Sequence, residues 1–224
     1  MLKKLFVTVL LCCSIPALAT PAKLGAPFFP PYAYFDIDGK LTGIWYKQLA
    51  PALAKAEIDY KPVNVPIKRF YSAVATGKVQ LSALPGNMPG MENVLLSNQP
   101  FSKFDLRVFW LDGEAHIDSL EQLADQKVLL IRGYSYGGLL RDAVPEAQRG
   151  NFKTVANQAI ALKALLNKEA DYVLGYWAMM SYLQKNYPQV QLNNHKVAEI
   201  PIYFAIHNSV GNAEDMMRRF EAAL

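Results

Sequence analysis

Cysteine is nearly absent from this sequence: the only two, Cys12 and Cys13, sit side by side near the N-terminus. Beyond them the chain has no thiol, which excludes a disulfide scaffold or a thiolate metal centre and leaves packing to supply stability. Histidine is scarce too, and His116, His195 and His207 are too far apart in sequence to suggest a metal site. Neither sign of charge dominates, with 23 basic against 19 acidic residues, so the chain carries no footprint for nucleic acid. No apolar run reaches the roughly 20 residues that a membrane span requires.

What is present reads as an ordinary globular protein, 52% hydrophobic and 19% charged, long enough at 224 residues for one large domain or two small ones. The N-terminus carries the sharpest signal. Lys3 and Lys4 precede an apolar run from Leu5 to Leu18, which ends in Ala17-Leu18-Ala19 before Thr20. That is the form of a secretory signal peptide, so residues 1–19 are expected to be cleaved and the mature protein to be periplasmic, with no membrane insertion. Leu11 before Cys12 argues against a lipid-modified cysteine. Cleavage would remove both cysteines, Lys3 and Lys4, leaving 21 basic against 19 acidic residues.

Strand and helix periods alternate through the rest of the chain, which predicts an α/β fold with parallel pairing. Leu49, Ala52, Leu53 and Ala56 recur at helical spacing, and Tyr60 to Val65 reads as a strand. A helix with Phe70, Ala73 and Val74 on one face stops at Gly77, and the strand Val79 to Leu84 follows. The turn-forming string from Pro85 to Gly90 then sits where open α/β sheets place ligands. Ser119 and Gln122 have the spacing of a capping box over a helix from Leu120 to Ala124. Lys127 to Arg132 reads as a buried strand running into Gly133-Tyr134-Ser135-Tyr136-Gly137. Ala159 to Asn167 is a predicted helix with Ile160, Ala164 and Leu165 inside, and Asp171 to Leu174 a strand. Ile200 to Ile206 and a terminal helix capped by Asn212 complete the pattern. The strings AVATGKVQLSAL and ALLNKEADYVLG share one grammar, a helix end, a basic turn and a short strand, which suggests two related halves.

Five strings taken together in order, PPYAYFDIDGKLTG, GKVQLSAL, LSNQPF, SLEQLADQKVLLIRGYSYG and ALLNKEADYVLG, resemble the family 3 bacterial extracellular solute-binding proteins, the amino-acid receptors of ABC importers. The resemblance covers nearly all of the chain after the signal peptide. It implies the type II periplasmic-binding-protein architecture: lobe one from residues 20–109 plus 197–224, and lobe two from 110–196. Two crossing strands would join them near Phe109 to Leu111 and near Lys196 to Ile200. It further implies a monomer that closes by hinge motion over one small-molecule ligand, needs no cofactor, and presents its closed form to an inner-membrane ABC permease.

Carried over position by position, the family's aromatic platform falls on Tyr32, its lobe-one backbone donors on Gly86 and Asn87, and its lobe-two helix start on Tyr134 and Ser135. Two anchors of an α-amino acid are replaced. The arginine that would hold a carboxylate has Met91-Glu92-Asn93 in its place, and the aspartate that would hold an amino group is Tyr176. A desolvated zwitterion without charge partners costs several kcal/mol as a rough order, so the expected ligand is not a standard α-amino acid. The candidate cleft lining is instead aromatic and basic, with Arg69 the stronger basic candidate and Trp177 beside Tyr176. The plainer reading makes Trp45 and Trp177 core residues and Lys68 a solvated helix start.

A rival reading takes Gly133 to Gly137 as the GxSxG of a serine hydrolase, with Ser135 as nucleophile and Asp171 with His195 or His207 as partners. Little chain follows Ser135 for the rest of such a sheet, and no HGGG-type loop precedes it. A third reading keeps the fold but makes the protein an orphan sensor or a dehydratase.

Overall fold

The computed structural model describes residues 20–224 except Asn87; the expected signal peptide, residues 1–19, lies outside the described residues. The first half opens with β1 (Ala22–Ala26) and a small hairpin, β2 (Tyr34–Phe35) and β3 (Leu41–Thr42). Helix α1 (Ile44–Lys55) then buries Trp45, Leu49, Ala52 and Leu53, the stripe that the apolar spacing predicts. Strand β4 (Tyr60–Asn64) and helix α2 (Ile67–Ala75) follow, the helix turning Phe70 and Val74 inward. β5 (Leu81–Pro85) and β6 (Val94–Leu96) bring the chain to the long strand β7 (Ser102–Leu111).

The second half holds β8 (Val128–Ile131), the short helix α3 (Leu139–Ala143), β9 (Lys153–Val155), α4 (Gln158–Leu166), β10 (Tyr172–Tyr176) and α5 (Trp177–Gln184). The chain returns along β11 (Leu192–His207) and ends in α6 (Ala213–Ala223), which buries Met216 and Phe220.

The strand order is β4-β1-β5-β11-β7-β10-β8-β9, with β6 also on β11. β1 runs parallel to β4 and β5, and β8 runs parallel to β9 and β10. Two long antiparallel strands link these groups. Ile202 to Ile206 of β11 pair with β5, whereas Leu106 to Phe109 of β7 pair with β10. The two strands pair with each other from Leu192–Leu111 to Ile202–Ser102, with an irregularity between Lys196 and Ala198. Hydrogen bonding therefore passes from one half-sheet to the other through a two-stranded ribbon.

Packing follows the same division. One core lies under α1 and α6 around Leu53, Leu81, Phe204 and Phe220, and another around Phe109, Leu162, Val173 and Met180 in the second half. A third is shared, because Phe29, Tyr32, Trp45 and Phe104 pack in one cluster with Tyr136, Leu174 and Tyr176.

Three local expectations change. The helix expected at Leu120 to Ala124 is a single 3-10 turn, Glu121–Leu123. The Gln122 side chain does reach back, but to the Asp118 amide (2.9 Å), and the backbone turns extended at Ala124 before Asp125 takes a φ of 61°. In α4 Ala164 and Leu165 are buried as expected, together with Gln158, Ala161 and Leu162, but Ile160 is 45% exposed. The helix is apolar on most sides, so its period did not fix its face. Asn212 stands at the N-cap of α6 without a side-chain capping bond.

Candidate functional site

The first wall of the gap between the halves is built by a tight approach of α1 to the turn after β1. The Trp45 amide donates to the Tyr32 carbonyl (2.9 Å) and the Ile44 amide to that of Pro31 (2.9 Å). Gly43 makes this possible: its φ is +113°, and a Cβ there would stand 2.4 Å from the Tyr32 oxygen. Rings then converge. Tyr32 lies 5.2 Å from Trp45 and 4.8 Å from Phe104, and Trp45 lies 5.0 Å from Phe104. Phe29 completes the group, 5.7 Å from Tyr32.

The opposite wall grows from the end of β8. Tyr136 has a φ of +50°, and its buried hydroxyl accepts from the Ile131 amide (2.7 Å) and donates to the Leu174 carbonyl (3.3 Å). That pins the loop across β8 and β10. Tyr134 donates to the Gln158 side-chain oxygen (3.2 Å) and stands 3.1 Å from the Met179 sulfur. Gln158 in turn donates to the Tyr176 carbonyl (3.3 Å). A polar residue buried at the first position of a helix is thereby satisfied.

The two walls meet ring on ring. Tyr176 stacks on Phe104 with centroids 4.2 Å apart and planes 16° from parallel, and Phe29 stands edge-on to Tyr134 at 5.3 Å. Tyr71 of α2 and Ser135 approach across the gap, hydroxyl to hydroxyl, at 3.4 Å. The space left among Trp45, Tyr71, Pro85, Phe104, Tyr134 and Tyr176 is a cavity of only about 20 Å³, enough for about one water molecule. The indole N–H of Trp45, in that wall, has no hydrogen-bond partner among the described residues.

Burial leaves its mark on the phenols. Desolvation raises Tyr134, Tyr136 and Tyr176 above the ordinary tyrosine value, and it raises Tyr32 as well, with help from the negative charge of Asp105. Burial thus favours the neutral phenol in all four.

Beside the filled gap lies a larger cavity of about 260 Å³. Phe28, Phe29, Pro30 and Ile67 contribute from the first half, and Arg132, Tyr134, Gln158, Met179, Tyr182 and Leu183 from the second.

Of the residues singled out in the sequence, the structure brings Tyr32, Tyr134, Ser135 and Tyr176 to the meeting of the halves. Gly86 follows β5 in a turn against the Tyr203 ring, which a Cβ would meet at 3.2 Å; Asn87 lies outside the described residues. Arg69 is exposed on α2, whose buried face is Phe70 and Val74, and Lys68 is exposed beside it. Trp177 turns away from the gap. Its ring takes the Arg107 guanidinium at 4.7 Å and lies parallel to Phe109 at 6.4 Å. Trp45 is indeed buried, but at the gap. Phe29, Phe104, Tyr71 and Gln158 were not foreseen. Phe104 had a readable signal, since it alternates with Leu106, Val108 and Trp110 along one face of β7. Nothing in the sequence marks Gln158 as buried.

The hydrolase arrangement is not assembled. Ser135 bonds Tyr71 and the Gly137 amide (3.4 Å), whereas the His207 ring bonds Ser209 and His195 stands on His116 at 5.1 Å. The positive φ that a nucleophile elbow places at its serine falls instead on Tyr136; Ser135 has a φ of −85°. Among the described residues no group of three histidine, cysteine or acidic side chains could hold a metal ion.

No protein-family model and no curated protein matches the chain. Solved structures do. A histidine kinase sensor domain with similarity to periplasmic binding proteins superposes with a TM-score of 0.76 at 18% identity, over 92% of this chain and 88% of that one. An ancestral arginine-binding protein bound to arginine gives 0.70 at 21% identity, over 90% and 91%. The arginine-, lysine-, histidine-binding protein ArtJ from Geobacillus stearothermophilus gives 0.71 at 15%, over 91% and 89%. Two half-sheets on a shared ribbon, and these likenesses over nine-tenths of the chain, make this a two-lobed fold of the type II periplasmic-binding-protein class.

Proposed function

We propose that the chain is a periplasmic solute-binding protein whose halves, 20–109 plus 197–224 and 110–196, swing about the β7–β11 ribbon and hold a small molecule other than a standard α-amino acid. The observation that carries this reading is a packed ring where the resemblance implies an amino-group anchor. Tyr176, where the resemblance implies an amino-group anchor, is stacked on Phe104, and the gap beside it has room for about one water molecule. The stretch Met91-Glu92-Asn93 supplies no guanidinium for a carboxylate. A 260 Å³ cavity lined by both halves gives a ligand the double contact that favours a closed over an open arrangement. The signal-peptide pattern supports a periplasmic address, and among the described residues no helix is long and apolar enough to cross a membrane.

The partner that reads closure is, on the family resemblance, an ABC permease. The second reading is a sensor role, favoured by the likeness to a histidine kinase sensor domain and by the ring-filled gap between the halves. A thermal-shift screen of amino acids, aromatic acids, sugars and polyamines tests the common part. A ligand at about 100 times its dissociation constant adds about 2.7 kcal/mol. Stabilisation by a compound other than an α-amino acid is expected; the largest shifts from polar amino acids would refute the ligand argument, and no shift from any class would refute binding. A fluorophosphonate probe should leave Ser135 unlabelled.

A further inference from the structure

We infer that the cavity beside the filled gap binds a small monocarboxylate with an apolar, preferably single-ring body, its carboxylate on Arg132. This rests on the binding-protein reading and names the ligand class. The walls are apolar on both sides: Phe29 and Ile67 from one half face Met179, Tyr182 and Leu183 from the other. Phe28 and Tyr182, 69% and 49% exposed, are large apolar side chains that water would otherwise surround. Against this lining stands one cation. Arg132, exposed but among the residues that line the cavity, enters no ion pair and no side-chain hydrogen bond among the described residues, and no carboxylate lines the cavity.

A guanidinium at the edge of an apolar pocket fits a carboxylate bidentately, because its planar fork matches the two oxygens. A zwitterionic amino acid would bring an ammonium group to a lining that holds no anion. The volume, about 260 Å³, lies just below the 300–1,000 Å³ usual for drug-sized ligands, which limits the body to about one ring or a short branched chain. Both halves touch such a molecule, so its binding would report on their closure.

Isothermal titration calorimetry with phenylacetate, phenylacetamide and phenylalanine on the parent protein and on Arg132→Gln tests the assignment. Phenylacetate is expected to bind the parent at least tenfold more tightly than the amide or the amino acid. Arg132→Gln should bring the acid down to the level of the amide without altering the amide. Ala159→Trp, which fills the cavity wall, should weaken acid and amide together. Equal binding of acid and amide to the parent, an acid preference that survives Arg132→Gln, or indifference to Ala159→Trp would overturn the inference. If phenylacetate fails to bind while another compound class stabilises the protein, this inference falls and the binding-protein reading stands. If nothing stabilises it, both fall.

Discussion

Removing the Tyr176 ring should damage stability and loosen the meeting of the halves at once. Tyr176 is 2% exposed and touches rings from both sides: Phe104 at 4.2 Å and Phe29 at 6.1 Å from the first half, Tyr134 at 5.1 Å and Tyr136 at 6.1 Å from the second. Truncating a buried aromatic to alanine costs about 3–5 kcal/mol through lost transfer energy and the cavity left behind. Aromatic pairing accounts for about 0.5–1.5 kcal/mol per pair beyond area, so the upper part of that range is expected here. For a chain of this size about 1 kcal/mol moves the melting temperature by about 2–4 °C, so about 4–5 kcal/mol predicts a fall of about 8–20 °C for Tyr176→Ala. Tyr176→Phe keeps the ring and loses only the hydroxyl, so it should lie within about 1.5 kcal/mol of the parent, the net contribution of one hydrogen bond. Urea unfolding followed by intrinsic fluorescence gives both numbers. A Tyr176→Ala variant within about 1 kcal/mol of the parent would refute the claim that this ring is packed between the halves.

Tyr136→Phe leaves the Ile131 amide without its partner and should cost about 1–3 kcal/mol in the same assay. Gly43→Ala should cost at least about 1–3 kcal/mol, since a Cβ at a φ of +113° would also meet the Tyr32 carbonyl; a neutral result would contradict the close approach of α1. Desolvation raises the folded-state values of Tyr32, Tyr134, Tyr136 and Tyr176 above those of the unfolded chain, so their contribution is full below about pH 10 and is lost as pH climbs beyond it. Urea midpoints should therefore fall between pH 9 and pH 11.5, and a midpoint that holds steady would contradict the burial of these phenols.

Much of the fold was legible because its signals are local. Gly77 ends α2, the apolar stripe of α1 repeats at helical spacing, and the Val128–Ile131 run is apolar on both faces as a central strand should be. The candidate site was legible only in part. Tyr134 and Tyr176 stand at or just beyond strand ends, where clefts form. Trp177 follows Tyr176 directly yet faces the other way, because the chain turns from β10 into α5 between them. Arg69 is the stronger of the basic pair Lys68 and Arg69 in the sequence, but the α2 face that packs is fixed by Phe70 and Val74, which leaves Arg69 outward. Phe29 owes its role to a contact across the gap, and Gln158 to contacts with Tyr134 and Tyr176 that are distant in sequence, so local spacing carries no record of either.

The central claim is that two halves on a shared ribbon are held together by rings that cross between them. The most direct measurement is the distance distribution between spin labels at Gln48→Cys and Lys163→Cys, exposed positions on α1 and α4, in a chain expressed from Thr20 without Cys12 and Cys13. The account predicts one narrow distribution for the parent and a broader, longer one when Tyr176→Ala is added. Identical distributions for the two would contradict it.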